Sequence, residues 1–157
     1  MPSTTESSSV WQTLLTVDEV EYITQELETA LAVLDSTTEG EISMLFDTLR
    51  PNTTTLLKLH TGLSVDECRK TIQEYLKEFK QPPQIVTLEV SQEPAWGMVK
   101  LIAGRIKQRL GERVIIRFSY NPSLIGGAAV TWQGKYFDGS LRGLLDALSN
   151  RKTANPV

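Results

Sequence analysis

The sequence is poor in the residues that build most catalytic and metal centres, with one Cys and one His among 157 residues. A lone Cys68 closes no internal disulfide, which excludes a secreted, disulfide-framed scaffold and makes a reducing compartment the natural setting. One thiol and one imidazole also fall short of the four ligands of a usual zinc site. Long hydrophobic runs are missing as well: nothing approaches the roughly 18 to 20 apolar residues that cross a bilayer. The opening residues 1–9 have neither the basic start nor the apolar stretch of an export signal. What remains is 40% hydrophobic, enough for a core without covalent staples.

The small net charge of −3 conceals an asymmetry. Residues 1–81 carry 6 basic and 14 acidic side chains, whereas residues 82–157 carry 10 and 5. Halves of −8 and +5, meeting at Pro82-Pro83, imply two surfaces with different partners, or halves that attract one another.

Patterning divides the chain at the same place. Residues 1–15, opening with the Ser/Thr-rich MPSTTESSSV, read as a disordered tail. Residues 16–81 read as an acidic helical domain of three helices and a turn. Capping boxes open the helices at Thr16–Glu19, Thr38–Glu41 and Ser64–Glu67. Pro51 stops the second helix, and Leu56, Leu57 and Leu59 form a brief apolar turn. Residues 82–150 switch to a period of 2 and read as a basic α+β domain. Val86, Leu88 and Val90 make one strand; Glu93-Pro94 opens a helix carrying Val99, Ile102, Ile106 and Leu110. Val114 to Tyr120 and Ala128 to Trp132 are further strands, and Gln133-Gly134 is a tight turn into Lys135-Tyr136-Phe137. Asp138-Gly139-Ser140 caps a last helix whose Leu141, Leu144, Leu145 and Leu148 face inward. The predicted fold class is α+β: a small amino-terminal helical bundle, then strand-helix-strand-strand-helix, with residues 151–157 frayed.

Catalytic chemistry finds little support. His60 has no Ser or Cys partner in a motif, and Cys68 sits on the apolar stripe of its helix as a small hydrophobe. Asp18, Glu19 and Glu21 read as helix-start and solvent-face charges. Ile125-Gly126-Gly127 is no phosphate loop, because a strand follows it where a helix N-terminus is needed. The basic set Arg105, Lys107, Arg109, Arg113 and Arg117 allows a second reading as a small RNA-binding module, without the aromatic strand motif such modules use. No cofactor or metal ligand set is expected.

Two motifs carry a resemblance: Asn121-Pro122-Ser123-Leu124-Ile125-Gly126-Gly127, and, after a short strand and the Gly134 turn, Asp138-Gly139-Ser140-Leu141-Arg142-Gly143. Over residues 84 to 149 the chain resembles the delta subunit of F-type ATP synthases, whose mitochondrial counterpart is the oligomycin-sensitivity-conferring protein. The resemblance implies a non-catalytic stator subunit joining the catalytic head to the b-subunit stalk. Its partners would be the carboxyl-terminal helix of b and the amino-terminal segments of alpha subunits. It would sit peripherally on the cytoplasmic side of the energy-transducing membrane, without entering the bilayer and without nucleic acid. In this reading the motif residues are fold determinants: Pro122 fixes a turn, Leu124 and Ile125 plug the core, Gly126-Gly127 permits a sharp path, and Arg142 points outward. Leu31, Leu34, Leu45 and Phe46 are candidates for a head-facing groove or for bundle core. Family members usually carry a six-helix amino-terminal bundle, more than the three helices and a turn read here.

Overall fold

A computed structural model describes residues 10–36, 38, 41–58, 64–141, 143 and 145. Contacts along the chain divide it into two compact units, Met1–Leu14 with Asp18–Pro83, and Leu15–Val17 with Gln84–Val157.

The first unit is helical. A 3-10 turn at Val10–Gln12 precedes α1 (Val17–Leu34), α2 (Ile42–Thr48), α3 (Pro51–Lys58) and α4 (Val65–Phe79). The described residues thus form four α-helices where sequence suggested three and a turn. Pro51, read as a stop, is the first residue of α3, where its missing N–H leaves no bond unmade. Leu56 and Leu57, expected in a turn, are buried on that helix. Of the supposed tail, residues 1–9 lie outside the described residues and 10–15 are corrected: Val10, Trp11 and Leu14 are buried, and Trp11 packs edge-on against Phe79 with ring centroids 5.6 Å apart. Large apolar area outweighs the polar run preceding it.

The spacing of Ile23, Leu27, Ala30 and Leu34 puts all four on the buried face of α1. Leu34 is therefore core, not groove, while Leu31, Leu45 and Phe46 are half-buried. Polar side chains pin α3 to α1. The buried Thr53 hydroxyl donates to the Glu26 carboxylate. Asn52 donates to Tyr22 Oη at 2.8 Å and Glu19 Oε1 at 3.3 Å. Arg50 pairs with Glu26 at 3.3 Å and lies 4.8 Å over the Tyr22 ring. Glu19, read as a solvent-face charge, is accordingly buried. Ser64 starts α4 with a complete capping box: its Oγ accepts from Glu67 N, and Glu67 Oε2 accepts from Ser64 N at 2.8 Å.

The second unit is a four-stranded mixed sheet with α5 on one face, and α+β is its class. Strands β1 (Gln84–Val90), β2 (Val114–Tyr120), β3 (Ala128–Trp132) and β4 (Lys135–Asp138) lie in the order β2-β1-β3-β4. β1 and β2 are parallel and joined through α5 (Trp96–Leu110); the other pairs are antiparallel. The fourth strand, absent from the expected order, completes a hairpin whose two-residue turn has positive φ at both Gln133 (48°) and Gly134 (75°). Positive φ at both positions gives the twist that paired strands require. Val86, Leu88, Val114 and Ile116 alternate onto the face covered by α5, where Ala103 is buried and Ile102, Ile106, Val130 and Trp132 pack around them. Each such fully buried side chain contributes roughly 1.5–3 kcal/mol. Residues 15–17 belong here because Ile116 N donates to Leu15 O at 2.9 Å and Thr16 bridges Ile116. Pro94, expected as the first helical residue, precedes Ala95, the N-cap of α5.

Candidate functional site

The two sequence motifs meet in space and form one joint. An Asx turn opens the first: Asn121 Oδ1 accepts from Ser123 N at 3.0 Å, and Asn121 Nδ2 donates to Glu89 at 2.6 Å. The exposed Pro122 and half-buried Leu124 follow, with Leu124 N donating to Asn121 O at 3.1 Å. Gly126 and Gly127 then take φ of 63° and 71°. Gly127 lies directly against the second motif, where a Cβ would overlap Gly139 O and touch Ser140 Cα at 3.0 Å. Three backbone bonds knit the joint: Gly139 N to Ala128 O at 3.0 Å, and Leu141 N to Ile125 O at 3.1 Å and Gly126 O at 3.3 Å.

The second motif is a helix start. Ser140, buried, accepts from Gly143 N at 3.1 Å through Oγ, and its own N–H donates to Asp138 Oδ1 at 2.8 Å. Hydrogen bonds from Ser140 hold the Asp138 carboxyl below its ordinary value. A Cβ on Gly143 would strike that carboxylate, so the last glycine of the motif exists to admit the cap. Leu141, Gly143 and Leu145 are helical. Arg142, Leu144 and Leu148, to which sequence reasoning gave roles, lie outside the described residues, as does His60.

The joint also presents an apolar surface. Ile125 was expected to plug the core and Leu141 and Leu145 to face inward; they are 57%, 49% and 52% exposed. Leu141 and Leu145 stand one turn apart on the same side of their helix, and the Leu141 Cβ is 3.7 Å from where a Gly126 Cβ would stand. Periodicity groups residues onto a face without saying whether anything in the chain covers it. Nine of the eleven large exposed hydrophobics among the described residues are in this unit.

The remaining chemistry is quiet. Burial raises the Cys68 thiol above its ordinary range, which leaves it protonated and unreactive. Burial also raises Tyr22 and Tyr75. Among the described residues no three His, Cys, Asp or Glu side chains group as metal ligands. The basic set does not form one RNA-facing patch: Arg105, Lys107 and Arg109 are on α5, whereas Arg117 alternates with Val114, Ile116 and Phe118 onto the opposite face of the sheet.

Against known families, the model for the ATP synthase delta (OSCP) subunit matches residues 63–151. That is more than half of the chain, and it runs from the start of α4 through both motifs. The chain belongs to the delta (OSCP) family. It is a non-catalytic, structural subunit of the ATP synthase peripheral stalk, and peripheral to the membrane. No helix among the described residues is long and apolar enough to cross a bilayer. No curated protein matches the chain. The match to the delta family extends beyond the resemblance seen in sequence by taking in α4, and it leaves out α1, α2 and α3.

Proposed function

We propose that this delta-family subunit links the catalytic head to the stalk. The sheet-bearing unit holds the carboxyl-terminal helix of the b subunit at the motif joint, and the helical unit faces the amino-terminal segments of alpha subunits. The observation that carries this reading is the joint itself: Ile125, Leu141 and Leu145 stand exposed on a backbone fixed by Gly127, Asp138 and Ser140. An apolar patch on a rigid frame suits an amphipathic helix laid against it. Rigidity matters because a stator resists torque, so slow dissociation is the property required. Pro122, Leu124, Gly126, Gly139 and Gly143 serve as frame or rim of this surface, on the cytoplasmic side of the energy-transducing membrane.

The test is binding of the full chain to a peptide from the carboxyl terminus of the b subunit encoded with it, read by calorimetry. Leu141→Glu, at an exposed position, should weaken binding at least about 100-fold, the loss of one interface anchor. Folded wild-type protein that ignores the peptide would refute the stalk assignment.

A further inference from the structure

The outward face of α5 lies on a different element from the joint and has three features of a docking surface. First, its centre is a seam of Gly97, Leu101, Gly104 and Gln108, spaced four, three and four residues, the period of a packed helix pair. Second, both glycines are exposed, and a Cβ at either would meet no described residue within 4 Å. Among the described residues nothing therefore requires them small, although glycine is a poor helix former. Leu101, between them, is 51% exposed, with Met98 (54%) beside it and Trp96 (45%) at the start of the helix. Third, α5 carries Lys100, Arg105, Lys107 and Arg109 and no acidic residue. Lys100 and Lys107 flank the seam on one side, Arg105 and Arg109 on the other. Arg105 and Arg109 also line an open recess of about 520 Å³ with Ile106, Gln108 and Leu110.

We propose that this face is a second docking surface, for one acidic amphipathic helix of a neighbouring subunit in the ATP synthase. The glycines admit close approach of its backbone, Leu101 and Met98 take its apolar seam, and the cations on both flanks select Asp and Glu beside that seam. The surface differs from the joint offered to b above, so either assignment can fail without the other.

The test uses the assembled enzyme. A photoreactive benzoylphenylalanine replaces Leu101, the purified complex is irradiated, and the adduct is mapped by mass spectrometry. The expected adduct falls on a helical segment of another subunit with Asp or Glu flanking an apolar seam. In a companion variant, Gly104→Leu, the crosslink from position 101 falls at least tenfold while the melting temperature of the free protein is unchanged or higher, since the new side chain enters open space. No adduct at Leu101, an adduct on a basic or non-helical segment or on a second copy of this chain, or an undiminished crosslink with Gly104→Leu would each overturn the proposal.

Discussion

The two units are held together by different means. In the helical unit the specific fastenings are side-chain bonds: Thr53 to Glu26, Asn52 to Tyr22 and Glu19, and Ser64 with Glu67. Each is made by groups that other residue types can imitate. The sheet-bearing unit has side-chain bonds too, at Asn121 and Ser140, but adds a contact of backbone against backbone, Gly127 on Gly139 and Ser140, where no other residue fits. The family match covers that unit and α4, not α1 to α3. A recognisable sequence signature thus resides where geometry leaves one choice, and fades where many sequences give the same helix packing.

Three substitutions and one titration can break this contrast. Gly127→Val should be the most damaging, because a β-branched residue at φ 71° is strained and its Cβ overlaps Gly139 O. A loss of roughly 3–5 kcal/mol is expected in urea unfolding, with the last helix released and the helical unit's transition unmoved. Thr53→Val keeps the volume of a fully buried side chain but takes from Glu26 its hydroxyl donor, leaving Arg50 as partner. It should cost about 1–3 kcal/mol, confined to the helical unit. A comparable loss in both units, from either variant, would end the claim that each fastening acts within its own unit.

Ser64→Ala removes one half of the capping box and should cost about 1 kcal/mol, seen as fraying of α4 by hydrogen exchange. The smallest effect is in pH. Hydrogen bonds from Ser64 lower Glu67, those from Thr38 lower Glu41, and those from Ser140 lower Asp138. Their folded values lie below the ordinary 4.5 for Glu and 3.8 for Asp, so each adds stability above those values and loses it as pH falls through its folded value. Melting curves between about pH 6 and pH 2 should show this acid loss, and Glu67→Gln should lessen it for the helical unit, where Glu41 retains its part, while Asp138→Asn lessens it for the other.

What could be read in the sequence was local. The Ser64–Glu67 box, the alternation of β1, and the Gln133-Gly134 turn each depend on neighbours a few residues apart, and all three are present, whereas β2 buries Val114, Ile115 and Ile116 in a row and exposes Tyr120. What could not be read was tertiary. Pro51 fits the end of one helix or the start of the next, and only the burial of Leu56 and Leu57 selects the start. Trp11 was hidden by the polar residues before it, and its partner Phe79 is far along the chain. The motifs were legible singly, but their contact through Gly127, and the reason for Gly143, appear only when Asp138 is seen beside it. Glu26 offered a faint signal: a carboxylate next to the apolar face of α1 needs a donor, and Thr53 supplies it. The exposure of Ile125, Leu141 and Leu145 had no signal at all, because an apolar residue that waits for another subunit looks the same in sequence as one that packs inside.

The central claim is a link between head and stalk, and one sedimentation measurement tests it. The isolated catalytic head is mixed with the water-soluble part of the b subunit, with and without this protein. A single species containing all three is expected when the protein is present, none without it, and its loss with Leu141→Glu. Head and b that stay separate in the presence of the folded wild-type chain would contradict it.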